Sequence, residues 1–140
     1  MNYSKINNSL ILDTNVIISS LLAKQPDTPP KLVYQLALND DHLLIISKDI
    51  LAEYMQVLRY TKFHFSDELI HSTIRDIRNK AIPIVPSASE VRLPDATDQP
   101  FYDLVTTKSA GAPVLITGNL RHFPRESFIL SLRAYLGRAQ

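Results

Sequence analysis

Short apolar runs alternate along the chain with longer stretches of helical spacing. Ser9-Leu10-Ile11-Leu12 is a run of strand length, and the polar triplet Asp13-Thr14-Asn15 breaks it. The apolar segment Val16 to Ala23 follows, long enough for a few helical turns. Beyond Pro26, Pro29 and Pro30, the spacing of Leu32, Val33, Leu36 and Ala37 predicts a second helix from Lys31 to Asn39. His42 to Ile46 reads as the second strand. Ser47 is then placed to cap a helix whose apolar residues Ile50, Leu51, Tyr54, Val57 and Leu58 share one face.

Ser66, followed by the acidic first turn Asp67-Glu68, opens a helix predicted to run to about Asn79. Ala81 to Val85 is a third strand, and Pro83 within it, having no N–H to donate, predicts an edge position. Pro86 to Pro100 reads as a loop rich in Pro, Ser and Asp. A helix over Phe101 to Ser109, a strand Val114 to Ile116, a turn at Gly118-Asn119, a fifth strand at Phe128 to Leu130 and a terminal helix to about Gly137 complete the series. Strands alternating with helices imply βα units, hence an α/β fold with a mainly parallel sheet of four to five strands covered on both faces.

At 140 residues and 15.8 kDa, with 45% hydrophobic and 21% charged residues, the chain is expected to form a single domain over 1–140 with its own core. The absence of cysteine removes disulfides, thiolate metal sites and cysteine nucleophiles. It fits an intracellular, cytoplasmic protein. The segment Ser9 to Ala23 carries Asp13 and Asn15 at its middle and is too short and polar for a membrane span. Net charge is only +1, yet after Asp103 the single acid Glu126 faces Lys108, Arg121, Arg125, Arg133 and Arg138. A solvated basic tail and a phosphate-binding surface both fit that distribution.

Ligands of open parallel sheets sit outside the carboxyl ends of the strands, which directs attention to polar residues at strand exits. Asp13 is one, and it reads either as a metal carboxylate or as the N-cap of the helix after it. Glu53 projects beside Ile50 and Val57, at the margin of the apolar arc. There a carboxylate either reaches solvent or must be paired or bound to a cation. With its helix starting at Asp98, that side chain falls within the arc of Phe101, Tyr102 and Val105, whereas Asp103 points the other way and Asp95 lies in the loop, both reading as solvated. Asn119 follows the fourth strand and is either a plain turn residue or a further oxygen ligand.

These four positions are compatible with one edge of one sheet, and converging oxygen donors suit Mg²⁺ or Mn²⁺ better than zinc. His42, His64, His71 and His122 show no metal-ligand spacing and are assigned no role. No P-loop is present, and Asp13 lacks the second aspartate of an Asp-x-Asp phosphotransfer motif, which weighs against a phosphatase.

Leu10-Ile11-Leu12-Asp13-Thr14-Asn15-Val16 resembles the opening strand and "DTN" signature of PIN domains. Ile116-Thr117-Gly118-Asn119, with Leu120-Arg121-His122-Phe123-Pro124, resembles the later "TGD/TGN" segment of PIN-family toxin components from bacterial toxin–antitoxin systems. The resemblance implies a three-layer α/β/α sandwich and a Mg²⁺- or Mn²⁺-dependent endoribonuclease that hydrolyses RNA by metal-activated water. In it, the family's acidic positions fall on Asp13, Glu53, Asp98 and, as a departure from the usual aspartate, Asn119. Asp13 and Asp98 would hold one or two ions together with Glu53, which would also orient or deprotonate water, and Asn119 would support a metal or its water shell. A homodimer and a small antitoxin protein that blocks the site are implied as partners. The asparagine also motivates an alternative, a PIN-like RNA-binding or scaffold module with weakened catalysis.

Overall fold

The computed structural model describes residues 8–138, and among these are six helices and five strands. Strand β1 spans Ser9–Leu12, β2 Leu43–Ile46, β3 Ile82–Pro83, β4 Val114–Ile116 and β5 Ile129–Leu130. The helices are α1 (Thr14–Leu22), α2 (Pro29–Ala37), α3 (Lys48–Leu58), α4 (Asp67–Lys80), α5 (Gln99–Val105) and α6 (Leu132–Arg138). All strand pairings are parallel, in the order β3-β2-β1-β4-β5.

Successive strand residues point to opposite faces, so the burial of all four residues of β1 requires cover on both sides of the sheet. Helices supply it, giving the α/β/α sandwich. Leu10, Ile11, Leu12, Leu44, Ile45, Ile46, Val114, Leu115, Ile116 and Ile129 form the sheet's share of the core. From α3 come Ile50, Tyr54 and Leu58, at the i, i+4 spacing that makes one stripe of a helix, and from α4 Ile70, Ile74 and Ile77.

Local chemistry accounts for most element boundaries. The Ser47 hydroxyl accepts from the Ile50 N–H at 3.2 Å and the Ser66 hydroxyl from the Leu69 N–H at 3.1 Å, as N-caps of α3 and α4. Three helices begin earlier than the apolar pattern predicts. Pro29 and Pro30 lie inside the first turn of α2, and Pro100 inside that of α5, where a missing N–H costs no helical hydrogen bond. At α1, Thr14 and Asn15 are helical despite their polarity. β3 is shorter than the stretch Ala81 to Val85, and it occupies the sheet edge that Pro83 predicts, with the Ile84 N–H donating to the Ile46 carbonyl at 2.8 Å.

The chain runs outward from β1 through β2 to β3, then returns across the sheet to β4 on the other side of β1. The direction of travel reverses between β1 and β4. Crossovers diverge at such a point, leaving a crevice outside the strand ends that Asp13 and Thr117 occupy.

Candidate active site

Asp13 leaves β1 with its N–H donating to the Ile116 carbonyl at 2.9 Å, so the last turn of the β1/β4 ladder holds it in place. It occupies the N-cap position of α1, yet its side chain makes no capping hydrogen bond. The carboxylate instead accepts from the Thr117 hydroxyl at 2.7 Å and lies 3.4 Å from the Asn15 amide nitrogen. Of the two readings open for Asp13, the cap is therefore not the one adopted. Asn15 also joins the two strand exits, its amide oxygen accepting from the Gly118 N–H at 3.1 Å. A Cβ on Gly118 would lie 3.2 Å from that oxygen, a tight contact that the Asn15 amide would have to yield to by a few tenths of an ångström.

Glu53 stands half-buried on α3 and accepts from the Thr14 hydroxyl at 2.5 Å. Its neighbour Tyr54 is fully buried and donates to the carbonyl of Leu12, the residue before Asp13. The Tyr54 ring also packs on Phe101 of α5 with centroids 6.4 Å apart, bracing α3 against the helix that Asp98 opens. Asp98 is buried, and it sits at the N-cap position of α5 without capping it. Asn119 is exposed after β4, its N–H donating to the Thr117 hydroxyl at 2.9 Å. All four residues singled out from sequence line one pocket of about 300 Å³.

Two further residues join them. The imidazole Nδ1 of His122 approaches Asp98 Oδ2 to 3.2 Å, and Asp95, Asp98 and His122 each offer a ligand atom within 4.8 Å of the others. Spacing along the chain carried no sign of His122, because its partners lie on the far side of β4. The Phe-Pro that follows it anchors this segment, with Phe123 buried. Asp95 is exposed, as its loop position predicts, and is held by Thr97, whose N–H and hydroxyl donate to it at 2.9 and 2.7 Å. Asp103 departs from expectation. It is half-buried and accepts from the Ser89 N–H at 3.0 Å and the Gln99 amide at 2.8 Å, tying the loop before α5 to that helix.

Electrostatics set these carboxylates apart. Burial pushes the Asp13 pKa up, the Thr117 hydroxyl draws it partly down, and the charge of Asp98 raises it again. Burial also raises Glu53, opposed by the Thr14 hydroxyl and reinforced by Asp13. Asp98 is raised by burial and then by the charge of Asp95. Asp95 itself is lowered, since the Thr97 hydroxyl and N–H favour its ionised form. Clustered acids that repel one another and resist ionisation are what a cation would relieve.

A divalent cation fits the donors present. Among the described residues Asp98 Oδ2 is a buried oxygen without a hydrogen-bond partner, although the His122 Nδ1 lies 3.2 Å away. A buried carboxylate oxygen left in that state is costly unless something positive meets it. Carboxylate and amide oxygens, with one imidazole at the rim, are the donor set of Mg²⁺ or Mn²⁺. On its other side the Asp95–Asp98–His122 group borders a second pocket of about 480 Å³, lined also by Arg92 and Arg121.

The family model described as PIN domain matches residues 9–121. The chain belongs to the PIN-domain family. That match spans Asp13, Glu53, Asp98 and Asn119 and ends just short of His122. PIN domains are generally nucleases and commonly use divalent metals, which agrees with an acidic cluster at the switch point of this PIN domain. Searches of curated proteins and of solved structures return no match. Among the described residues no helix is long and apolar enough to cross a membrane.

Proposed function

We propose that this PIN domain is a Mg²⁺- or Mn²⁺-dependent endoribonuclease, acting in the cytoplasm as the toxin of a toxin–antitoxin pair. The observation that carries the reading is the convergence of Asp13, Glu53 and Asp98, from three separate elements, on one pocket where Asp98 Oδ2 has no donor. Asp13, Glu53 and Asp98 would hold the cation, and Asn119, Asp95 and His122 would offer further donors to it or its water. When bound, the metal supplies Lewis acidity toward a phosphodiester and lowers the pKa of water.

The remaining work falls to the chain's own groups. Thr117 holds the Asp13 carboxylate in one orientation, and Thr14 does so for Glu53. Glu53 would accept a proton from water, its basicity raised by burial and by the neighbouring charge of Asp13. Arg92 and Arg121, on the wall of the adjoining pocket, offer cationic sites for the flanking phosphates that an acidic pocket would otherwise repel. A homodimer and a small antitoxin that covers the site complete the proposal.

The test is cleavage of single-stranded RNA with Mg²⁺ or Mn²⁺ by wild type, Asp13→Asn and Asp98→Asn, each checked for cooperative thermal unfolding. Wild type should cut, and each amide should lose at least about 100-fold in rate, the scale on which positioned acid–base groups contribute. His122→Ala should lose less. Wild type that binds RNA and cuts nothing with any divalent metal would replace the enzyme by the alternative that Asn119 favours, an RNA-binding or scaffold module.

A further inference from the structure

One wall of the carboxylate pocket is aromatic. Tyr60 and Phe63 line it, and behind α3 their rings lie nearly parallel, with centroids 6.4 Å apart and planes inclined by 10°. Phe65 continues the stack at 5.6 Å and 19° from Phe63. A 3-10 turn over Thr61–Phe63, closed by His64 in a left-handed conformation (φ 57), brings these rings together. The ammonium of Lys62 stands 5.2 Å from the Phe63 centroid.

Core packing explains part of this ladder. Phe63 and Phe65 are half-buried against the main hydrophobic cluster. Tyr60 does not belong to that cluster and is 43% exposed, on the pocket that holds Asp13, Glu53 and Asp98. An exposed flat ring at the mouth of an acidic pocket is poor packing and a good partner for a nucleobase, whose π-face it covers, while the Lys62 ammonium over the adjoining Phe63 offers a cation to a phosphate. Bases inside a duplex already stack on both faces, so such a ring selects unpaired nucleotides and reads little of their identity.

We infer that Tyr60, backed by Phe63, is a stacking shelf that holds an unpaired base of the RNA beside the carboxylate pocket. This rests on the ribonuclease reading for its place in catalysis, while the binding it predicts is measurable without cleavage.

The full chain, with Ca²⁺ replacing Mg²⁺, is titrated with a fluorescein-labelled oligouridylate and with an RNA duplex of equal length. Wild type should prefer the single strand. Tyr60→Ala and Tyr60→Leu, the second keeping apolar bulk at the surface, should each weaken single-strand binding about 5- to 150-fold and leave duplex binding unchanged. Tyr60→Phe should retain the affinity. Since the chain has no tryptophan, its emission comes from six tyrosines, and the quenching of that emission by unlabelled oligouridylate should shrink in Tyr60→Phe although binding persists. Equal affinity for strand and duplex, no binding to either, full affinity in Tyr60→Leu, or undiminished quenching in Tyr60→Phe would each overturn the shelf. Cleavage is scored separately. Tyr60-dependent binding without cleavage under Mg²⁺ or Mn²⁺ keeps the shelf and removes the nuclease, whereas cleavage indifferent to Tyr60→Leu removes the shelf alone.

Discussion

Thr117→Val removes one hydroxyl and almost no volume from a fully buried position beside Asp13. That hydroxyl donates to Asp13 Oδ2 at 2.7 Å and accepts from the Asn119 N–H at 2.9 Å. A hydrogen bond to a charged group contributes about 1.5–3 kcal/mol, and loss of the second bond adds little because Asn119 is exposed and its N–H can turn to water. A net loss of roughly 2 kcal/mol should lower the thermal midpoint by roughly 5–10 °C for a chain of this size. The Thr117 bond also holds the Asp13 pKa down, so its removal raises that pKa further. A metal must then displace a more tightly held proton, and half-maximal Mn²⁺ binding should move to higher pH. By analogy with groups that orient metal ligands, Mn²⁺ affinity at neutral pH should fall about 10- to 100-fold. Calorimetry gives the stability and electron paramagnetic resonance of free Mn²⁺ the affinity, with Thr117→Ser expected to restore both. Wild-type Mn²⁺ affinity in a folded Thr117→Val protein would refute the claim that this hydroxyl sets the state of Asp13.

Two further outcomes follow from the same geometry. Asp13, Glu53 and Asp98 all have pKa values raised above their ordinary values of 3.8, 4.5 and 3.8. The fold therefore holds their protons more tightly than the unfolded chain does. Their contribution to stability is complete below the ordinary values and is lost as pH rises through the raised ones. Mn²⁺ should accordingly raise the thermal midpoint more at about pH 7.5 than at about pH 5, and an equal or reversed gain would contradict this account of the three carboxylates. Gly118→Ala, whose Cβ would meet Asn15 Oδ1 at 3.2 Å, should cost about 1 kcal/mol or less and slow cleavage several-fold by shifting the amide that lies against Asp13. Thermal unfolding and initial rates check both, and Asn15→Ala should make the two effects non-additive.

Much of the fold is local, and so was legible in the chain. Three consecutive apolar residues in β1, the i, i+4 stripe of Ile50, Tyr54 and Leu58, the caps Ser47 and Ser66 and the edge position of Pro83 all express short-range rules of period, capping and hydrogen bonding. The same rules placed Asp13 and Asn119 at strand exits and Glu53 at the border of a buried face. They could not say whether the Asp13 carboxylate caps α1, because the competing partner, Thr117, arrives from the far end of the chain through the β1/β4 register. Nor could they find His122 beside Asp98, the anchoring of Ser89 by Asp103, or Tyr60 on the pocket wall. Each contact involves a loop whose sequence carries no period, and the strand order brings the loop after β4 to the end of the sheet where Asp98 lies. The residue types able to hold a metal were written in the sequence, but which of them meet, and which oxygen is left without a donor, was decided by the packing of α3, α5 and the β4 exit around Asp13.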